Sequence, residues 1–281
     1  MNEPIVLIGG LDFGEGPRWH DERLWYSDFT QHRVYAVDAT GRRETMVDLG
    51  DEQPSGLGWL PNGDLLVVAM TARQVWRVHE EVINIHADLS DIATWHCNDM
   101  VVASDGTAYV GNFGYDIENN REDPVASTLA IVHPDGSVSA GPNELAFPNG
   151  SIITPDDSTL IVAETFAGCL TAFDIQKDGM LGERRIWADT SGVLPDGCCL
   201  DAAGGIWVAD AFGSGVIRYL EGGQVTDRIP TPQTSFACML GGPDGRTLHC
   251  VTAPAAGDQR AGMGDGTIVT FQVEHPGAGR P

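Results

Sequence analysis

A short β-rich run returns six times along this chain, each time just behind a turn. The runs are Leu24-Trp25-Tyr26-Ser27-Asp28, Leu65-Leu66-Val67-Val68-Ala69, Ala108-Tyr109-Val110-Gly111-Asn112, Leu160-Ile161-Val162-Ala163-Glu164, Ile206-Trp207-Val208-Ala209-Asp210 and Leu248-His249-Cys250-Val251-Thr252. Their starts are about 45 residues apart, a spacing typical of repeat architectures. The turns ahead of them include Asn62-Gly63, Asp105-Gly106, Asp156-Asp157, Gly204-Gly205 and Asp244-Gly245, residues that tolerate positive φ and favour hairpins. A second strand follows each run, as at Val34 to Asp38, Val75 to His79 and Leu170 to Ile175, and a further β segment follows most of these. A unit of this length with four short antiparallel strands is a propeller blade. The expectation is an all-β, six-bladed β-propeller of four-stranded blades filling 1–281 as a single domain, with a β-sandwich of accidental regularity as the alternative. The 35 glycines among 281 residues suit so many turns.

A closed ring needs one blade assembled from both ends of the chain. The last unit supplies strands near 237–241, 247–253 and 267–273 and then stops, so Pro4 to Ile8 is expected to be its outer strand. The tail from His275 to Pro281 is expected to fray. The longest interval between repeats implies an insertion near Tyr115 to Ser127. Its Glu118-Asn119-Asn120-Arg121-Glu122-Asp123 run reads as a solvated loop, or as a lid over a pocket.

Composition narrows the partners. With 16 Lys+Arg against 40 Asp+Glu, the formal charge of −24 repels phosphate backbones. No nucleic-acid partner is expected; a neutral or cationic small molecule, or a metal ion, fits the sign. No run approaches the roughly 18 apolar residues of a membrane span, and Met1-Asn2-Glu3-Pro4 lacks the features of a signal peptide. The six cysteines form no CxxC pair, so reduced, buried thiols in a cytoplasmic protein are expected, with Cys238 the one thiol weighed as a nucleophile. A ring closed on itself needs no partner copy, so the sequence leaves the oligomeric state open.

About ten residues ahead of the six runs stand Glu15, Ser55, Asn98, Asn149, Asp196 and Cys238. These positions open the innermost strands, so they should encircle the central axis at one end. Glu15, Asn98, Asn149 and Asp196 bring two carboxylates and two amide carbonyls into a confined channel, which is costly without a partner. An all-oxygen set suits Ca²⁺, Mg²⁺ or Mn²⁺ rather than a Cys/His zinc site; one divalent ion is expected, Ca²⁺ first, with Mg²⁺, Mn²⁺ or Zn²⁺ as the alternatives. The alternative is a ring of turn residues bonded to backbone groups, with no ion.

Glu15-Gly16-Pro17, Asn98-Asp99, Phe147-Pro148-Asn149-Gly150, Leu194-Pro195-Asp196-Gly197 and Ala237-Cys238-Met239-Leu240-Gly241-Gly242 resemble the senescence marker protein/gluconolactonase/luciferin-regenerating-enzyme-like (regucalcin-like) family over almost the whole chain. The resemblance implies a six-bladed propeller with one catalytic divalent metal in its channel, held by residues matching Glu15, Asn149 and Asp196. The residue matching Asn98 completes the coordination in related diisopropylfluorophosphatases and contacts substrate in sugar lactonases. The implied activity is lactone hydrolysis, with organophosphate hydrolysis in relatives. Two positions depart from the sugar lactonases. Their substrate-binding Arg is replaced by His96, and in place of their substrate-binding Glu stands Phe113-Gly114-Tyr115-Asp116-Ile117-Glu118, where only Asp116 or Glu118 could substitute.

The ends of the second strands should lie on the ligand-bearing face. They carry Phe29, Met70, Phe113, Phe166 and Phe212, and the entrances to the inner strands add Trp95, Phe147 and Phe236. Together with Tyr115 and Asp116 they outline a pocket for a lactone less polar than a sugar lactone; packing between blades is the other account of these rings. In the expected mechanism the metal polarises the carbonyl and water attacks. Asp196 is the chosen general base, Glu15 or Asp99 standing in reserve, and His96 protonates the leaving alkoxide or hydrogen-bonds substrate. No Gly-x-Ser-x-Gly elbow supports a serine hydrolase. Rival functions are organophosphate hydrolysis, another metal-assisted reaction of a carbonyl compound, and a non-enzymatic Ca²⁺-binding propeller.

Overall fold

Apolar runs of five to seven residues, punctuated by turns with positive-φ glycines such as Gly63, Gly106, Gly204 and Gly245, can bury both faces only if sheets stack face to face. The computed structural model, which describes residues 3–117, 125–190 and 192–278, meets that demand with six four-stranded antiparallel sheets. After β1 (Ile5–Leu11), the first blade is β2 (Gly14–His20), β3 (Arg23–Asp28), β4 (Arg33–Val37) and β5 (Arg43–Asp48). The second is β6 (Pro54–Trp59), β7 (Leu65–Ala69), β8 (Gln74–His79) and β9 (Val82–Asp88). The third is β10 (Cys97–Val102), β11 (Ala108–Asn112), β12 (Ala130–Val132) and β13 (Val138–Ala140). The fourth is β14 (Pro148–Ile153), β15 (Thr159–Glu164), β16 (Cys169–Asp174) and β17 (Arg185–Asp189). The fifth is β18 (Pro195–Leu200), β19 (Ile206–Asp210), β20 (Gly215–Tyr219) and β21 (Val225–Pro230), and the sixth holds β22 (Thr234–Gly241), β23 (Thr247–Ala253) and β24 (Gly266–Gln272). The expected closure is observed: β1 pairs antiparallel with β24, from Ile5 opposite Thr270 to Leu11 opposite Gly266.

The core lies between blades. Every residue of β7 is buried, and Leu66 and Val68 join Met100, Ala108 and Val110 of the third blade in one apolar cluster. Each such fully buried Leu or Val contributes about 1.5–3 kcal/mol. Among the described residues no helix is long and apolar enough to cross a membrane.

Two expectations meet different outcomes at the chain's irregular parts. The closing segment, expected to fray from His275, is bonded as far as the structure describes it. Pro276 accepts the Ala202 N–H, Gly277 donates to Gly245, and Ala278 donates to Leu200, so the segment is tied beneath blades five and six. Backbone polar groups that find partners do not fray. Of the insertion, Glu118 to Asp123 lies outside the described residues.

The inner strands share one departure from regular pairing. In every blade the pairing to the second strand slips near the start, between Glu15 and Arg18, Pro54 and Leu57, Cys97 and Met100, Pro148 and Ser151, Pro195 and Cys198, and Ser235 and Ala237. Such bulges re-aim side chains. Glycines let the bulged backbones touch their neighbours: a Cβ on Gly150 would stand 2.5 Å from the Asp196 carbonyl oxygen and 2.7 Å from the Gly197 Cα. Gly150→Ala should therefore force blades four and five apart and cost about 1–3 kcal/mol, read as a lower urea midpoint with an unchanged slope.

Candidate metal centre and pocket

The bulges place Glu15, Ser55, Asn98, Asn149 and Asp196 at equivalent positions of blades one to five. In blade six the bulged residue is Phe236, where the sequence pointed to Cys238. The reason is that β22 begins at Thr234, so Cys238 falls within regular pairing, opposite Cys250. Its Sγ lies 3.9 Å from that of Cys199, and burial pushes the thiol well above its ordinary pKa. A thiol so placed is no nucleophile. All six cysteines are buried.

Three carboxyls share one electrostatic environment. Burial raises the pKa of Glu15 well above the usual range, and Asp196 and Asp99 add to the rise, while the Gly16 N–H and Arg18 oppose it. Asp196 is likewise raised well above its ordinary value by burial and by Asp99, against the Gly197 N–H and the Asn149 amide. Asp196 Oδ1 is buried with no hydrogen-bond partner, an expensive state for a carboxyl oxygen.

The amides are turned by their own contacts. Asn149 Nδ2 donates to Thr165 Oγ1 at 3.3 Å, and that hydroxyl donates in turn to the Pro195 carbonyl at 2.8 Å. Asn98 Nδ2 donates to the Pro148 carbonyl at 3.4 Å. With each NH₂ group engaged on backbone or hydroxyl, each side-chain oxygen remains as an acceptor. An orphaned carboxyl oxygen beside a second carboxyl and two amide carbonyls is a donor set that fits a hard divalent cation. Among the described residues no three His, Cys, Asp or Glu side chains form a metal-holding group; half of this set is amide.

Asp99 faces elsewhere. Its Oδ1 accepts from Arg18 Nη2 at 2.7 Å and from the Met100 N–H at 2.8 Å. Arg18 and Thr165 are the site residues that sequence reasoning missed. A usable signal existed for the first: an arginine three residues beyond Glu15, inside an innermost strand, has no route to water and must find a buried partner.

The expected aromatics form two groups. Phe13 packs edge-on against Phe29 and Phe236, with centroids 5.3 and 4.9 Å away. Opposite in sequence terms, Trp95 stacks on His96 at 4.8 Å, His96 lies 6.2 Å from Phe113, Phe113 stacks on Phe147 at 4.7 Å, and Phe147 meets Phe166 at 4.8 Å. Met70 is buried within the same cluster as Phe13, Phe29 and Phe236. Phe212 joins neither group; it is 79% exposed on the β19–β20 turn. Tyr115 and Asp116 are half-buried just after Gly114, which Thr94 Oγ1 anchors at 2.7 Å.

Residues 13–254 match the model of the SMP-30/Gluconolactonase/LRE-like region. The chain belongs to this family. It is 29% identical to pentonolactonase XacC of Haloferax volcanii, an alignment spanning all of this chain and 97% of that protein. It is 26% identical to regucalcin of Gallus gallus over 85% of this chain and 83% of that one. Among solved structures, the luciferin-regenerating enzyme superposes with a TM-score of 0.83 at 17% identity, covering 98% of this chain and 97% of the other. Regucalcin of Agrobacterium tumefaciens gives 0.83 at 22% identity, covering 99% and 96%. These two show a shared fold. The likeness to lactonases supports hydrolase-type activity for the family member described here.

The site is costly to the fold when nothing compensates its carboxyls. Asp196→Asn should thus stabilise the protein held in chelator by about 1–3 kcal/mol, seen as a higher thermal midpoint.

Proposed function

We propose that this chain, acting as a single six-bladed domain, is a divalent-metal-dependent lactonase whose substrate is a lactone less polar than a sugar lactone. The observation that carries the reading is the buried, unpartnered Asp196 Oδ1 beside Glu15, with the Asn98 and Asn149 amides turned by their own hydrogen bonds. Glu15, Asn98, Asn149 and Asp196 would hold the ion. When bound, a divalent cation polarises a carbonyl and offsets the negative charge that builds on its oxygen.

The chain's own residues do the rest. Asp196 is the general base that takes a proton from the attacking water, its Oδ1 having no hydrogen-bond partner in the protein to engage it. Asp99 is spoken for by Arg18 and the Met100 N–H, so it does not compete for that proton. His96, set between Trp95 and Phe113, hydrogen-bonds the ring oxygen of the lactone and returns a proton to it as the ring opens. The Phe113, Phe147 and Phe166 stack lines the side on which the ring rests and keeps bulk water from it. Full-length similarity to a pentonolactonase supports lactone opening. The aromatic wall, and His96 where sugar lactonases carry Arg, support the shift toward lower polarity.

The test is hydrolysis of a panel of sugar and alkyl lactones by metal-stripped protein before and after adding Ca²⁺, Mg²⁺, Mn²⁺ or Zn²⁺. Turnover should return with a divalent ion, favour the alkyl lactones, and fall about 10³-fold or more in Asp196→Ala. Metal binding with no lactone opened in either class would sink the proposal. Addition of Ca²⁺ at about 100 times its Kd should also stabilise the wild-type fold by about 2.7 kcal/mol, and Asp196→Ala should lose that gain.

A further inference from the structure

The layer just below the ring of donors is built almost wholly of residues with little or no side chain. The residue following each ring position is Gly16, Gly56, Gly150 and Gly197 in blades one, two, four and five, and Ala237 in blade six. A Cβ on Gly197 would meet the Ala237 Cα at 2.7 Å, and one on Gly56 would meet the Met100 Cβ at 2.7 Å. Only blade three departs, with Asp99. A carboxylate in this layer is largely removed from water, and both it and Arg18 are buried.

Arg18 answers it from two blades away. Its Nη2 reaches Asp99 Oδ1 at 2.7 Å and the Met100 carbonyl at 2.5 Å, and its Nη1 holds the Pro17 carbonyl at 2.9 Å. Gly56 of the intervening blade lies directly against the Asp99–Met100 backbone, where a Cβ would stand 2.8 Å from the Asp99 carbonyl carbon. The charged groups acting on Glu15 are Asp196, Asp99 and Arg18. Three carboxylates and one guanidinium sum to two negative charges, the charge that one divalent cation neutralises.

We infer that Arg18 is a positioning and charge-setting residue: by pairing with Asp99 it withdraws a third carboxylate from the donor ring and matches the site to an ion of charge +2. The inference rests on the metal reading proposed above. It assigns Asp99 a part in ion selection, away from proton transfer. A purely structural ion pair would share the geometry and leave ion selectivity untouched, and that difference makes the inference testable.

The experiment is a charge cycle read by calorimetric titration of metal-stripped protein with Ca²⁺ and, separately, La³⁺. Asp99→Asn leaves the site one negative charge short and should weaken Ca²⁺ by about tenfold or more. The double variant Arg18→Met/Asp99→Asn restores the sum and should bind Ca²⁺ within about threefold of wild type. Arg18→Met alone adds a negative charge, and its preference for La³⁺ over Ca²⁺ should rise about tenfold; Arg18→Lys, which keeps the charge, should retain the wild-type preference. Arg18→Met strands a buried carboxylate and can fail to fold, whereas the double variant removes both charges together and carries the decision by itself. A double variant that binds Ca²⁺ no better than Asp99→Asn, or a La³⁺ to Ca²⁺ ratio common to all variants, overturns the inference while leaving the metal site standing. A wild-type protein that takes up none of Ca²⁺, Mg²⁺, Mn²⁺ or Zn²⁺ overturns the metal reading and the inference with it; one that takes up another of these ions has the same cycle read with that ion in place of Ca²⁺.

Discussion

Everything near the axis depends on how closely the backbones of adjacent inner strands approach. Six sheets can converge on a channel only if their first strands press together near its mouth, and a side chain between them would hold them apart. Gly16, Gly56, Gly150 and Gly197 remove that obstacle. The same bulges that bring the backbones together turn the preceding side chains inward. Close packing and the convergence of Glu15, Asn98, Asn149 and Asp196 are thus one geometric event, and a change that loosens the first displaces the second.

The fold was legible because it is written in local, repeated signals. Apolar runs, turn dipeptides and a steady period predicted the blades, and the unpaired Pro4 to Ile8 stretch pointed to closure on β24. Where the repeat is irregular, counting failed. A strand that begins earlier than its counterparts put Phe236 at the sixth ring position and Cys238 two residues inside. The tail was expected to fray because its sequence is polar and Gly/Pro-rich; the bonds that hold Pro276 to Ala278 come from Leu200, Ala202 and Gly245, distant in sequence. Phe212 had the same sequence position as its counterparts and stands in solvent, since the direction of a turn side chain is set by contacts that periodicity does not encode.

The centre opposes the demands of the fold. Burial and mutual repulsion raise the proton affinity of Glu15 and Asp196, and a protein selected for stability alone would place apolar residues there. Blade packing elsewhere, where Leu66 and Val68 of β7 share one apolar cluster with Ala108 and Val110 of β11, sustains that expense. Placing buried carboxyls at one end of a rigid ring is what the proposed cation and carbonyl chemistry would require of its donors.

The pairing of β1 with β24 has a consequence for the order of events as the molecule forms. Ile5 and Thr270 lie at opposite ends of the chain, so the loop closed by this pairing is nearly the longest the chain allows. The contacts within each blade span a few dozen residues and can form early. The last blade cannot complete its sheet until the first strand returns to it, and during synthesis that strand emerges long before its partner exists. Ile5 and Val6, exposed even in the finished ring, belong to a waiting edge with apolar character. The slowest and most aggregation-prone step of this chain's folding is therefore the one that makes it a ring.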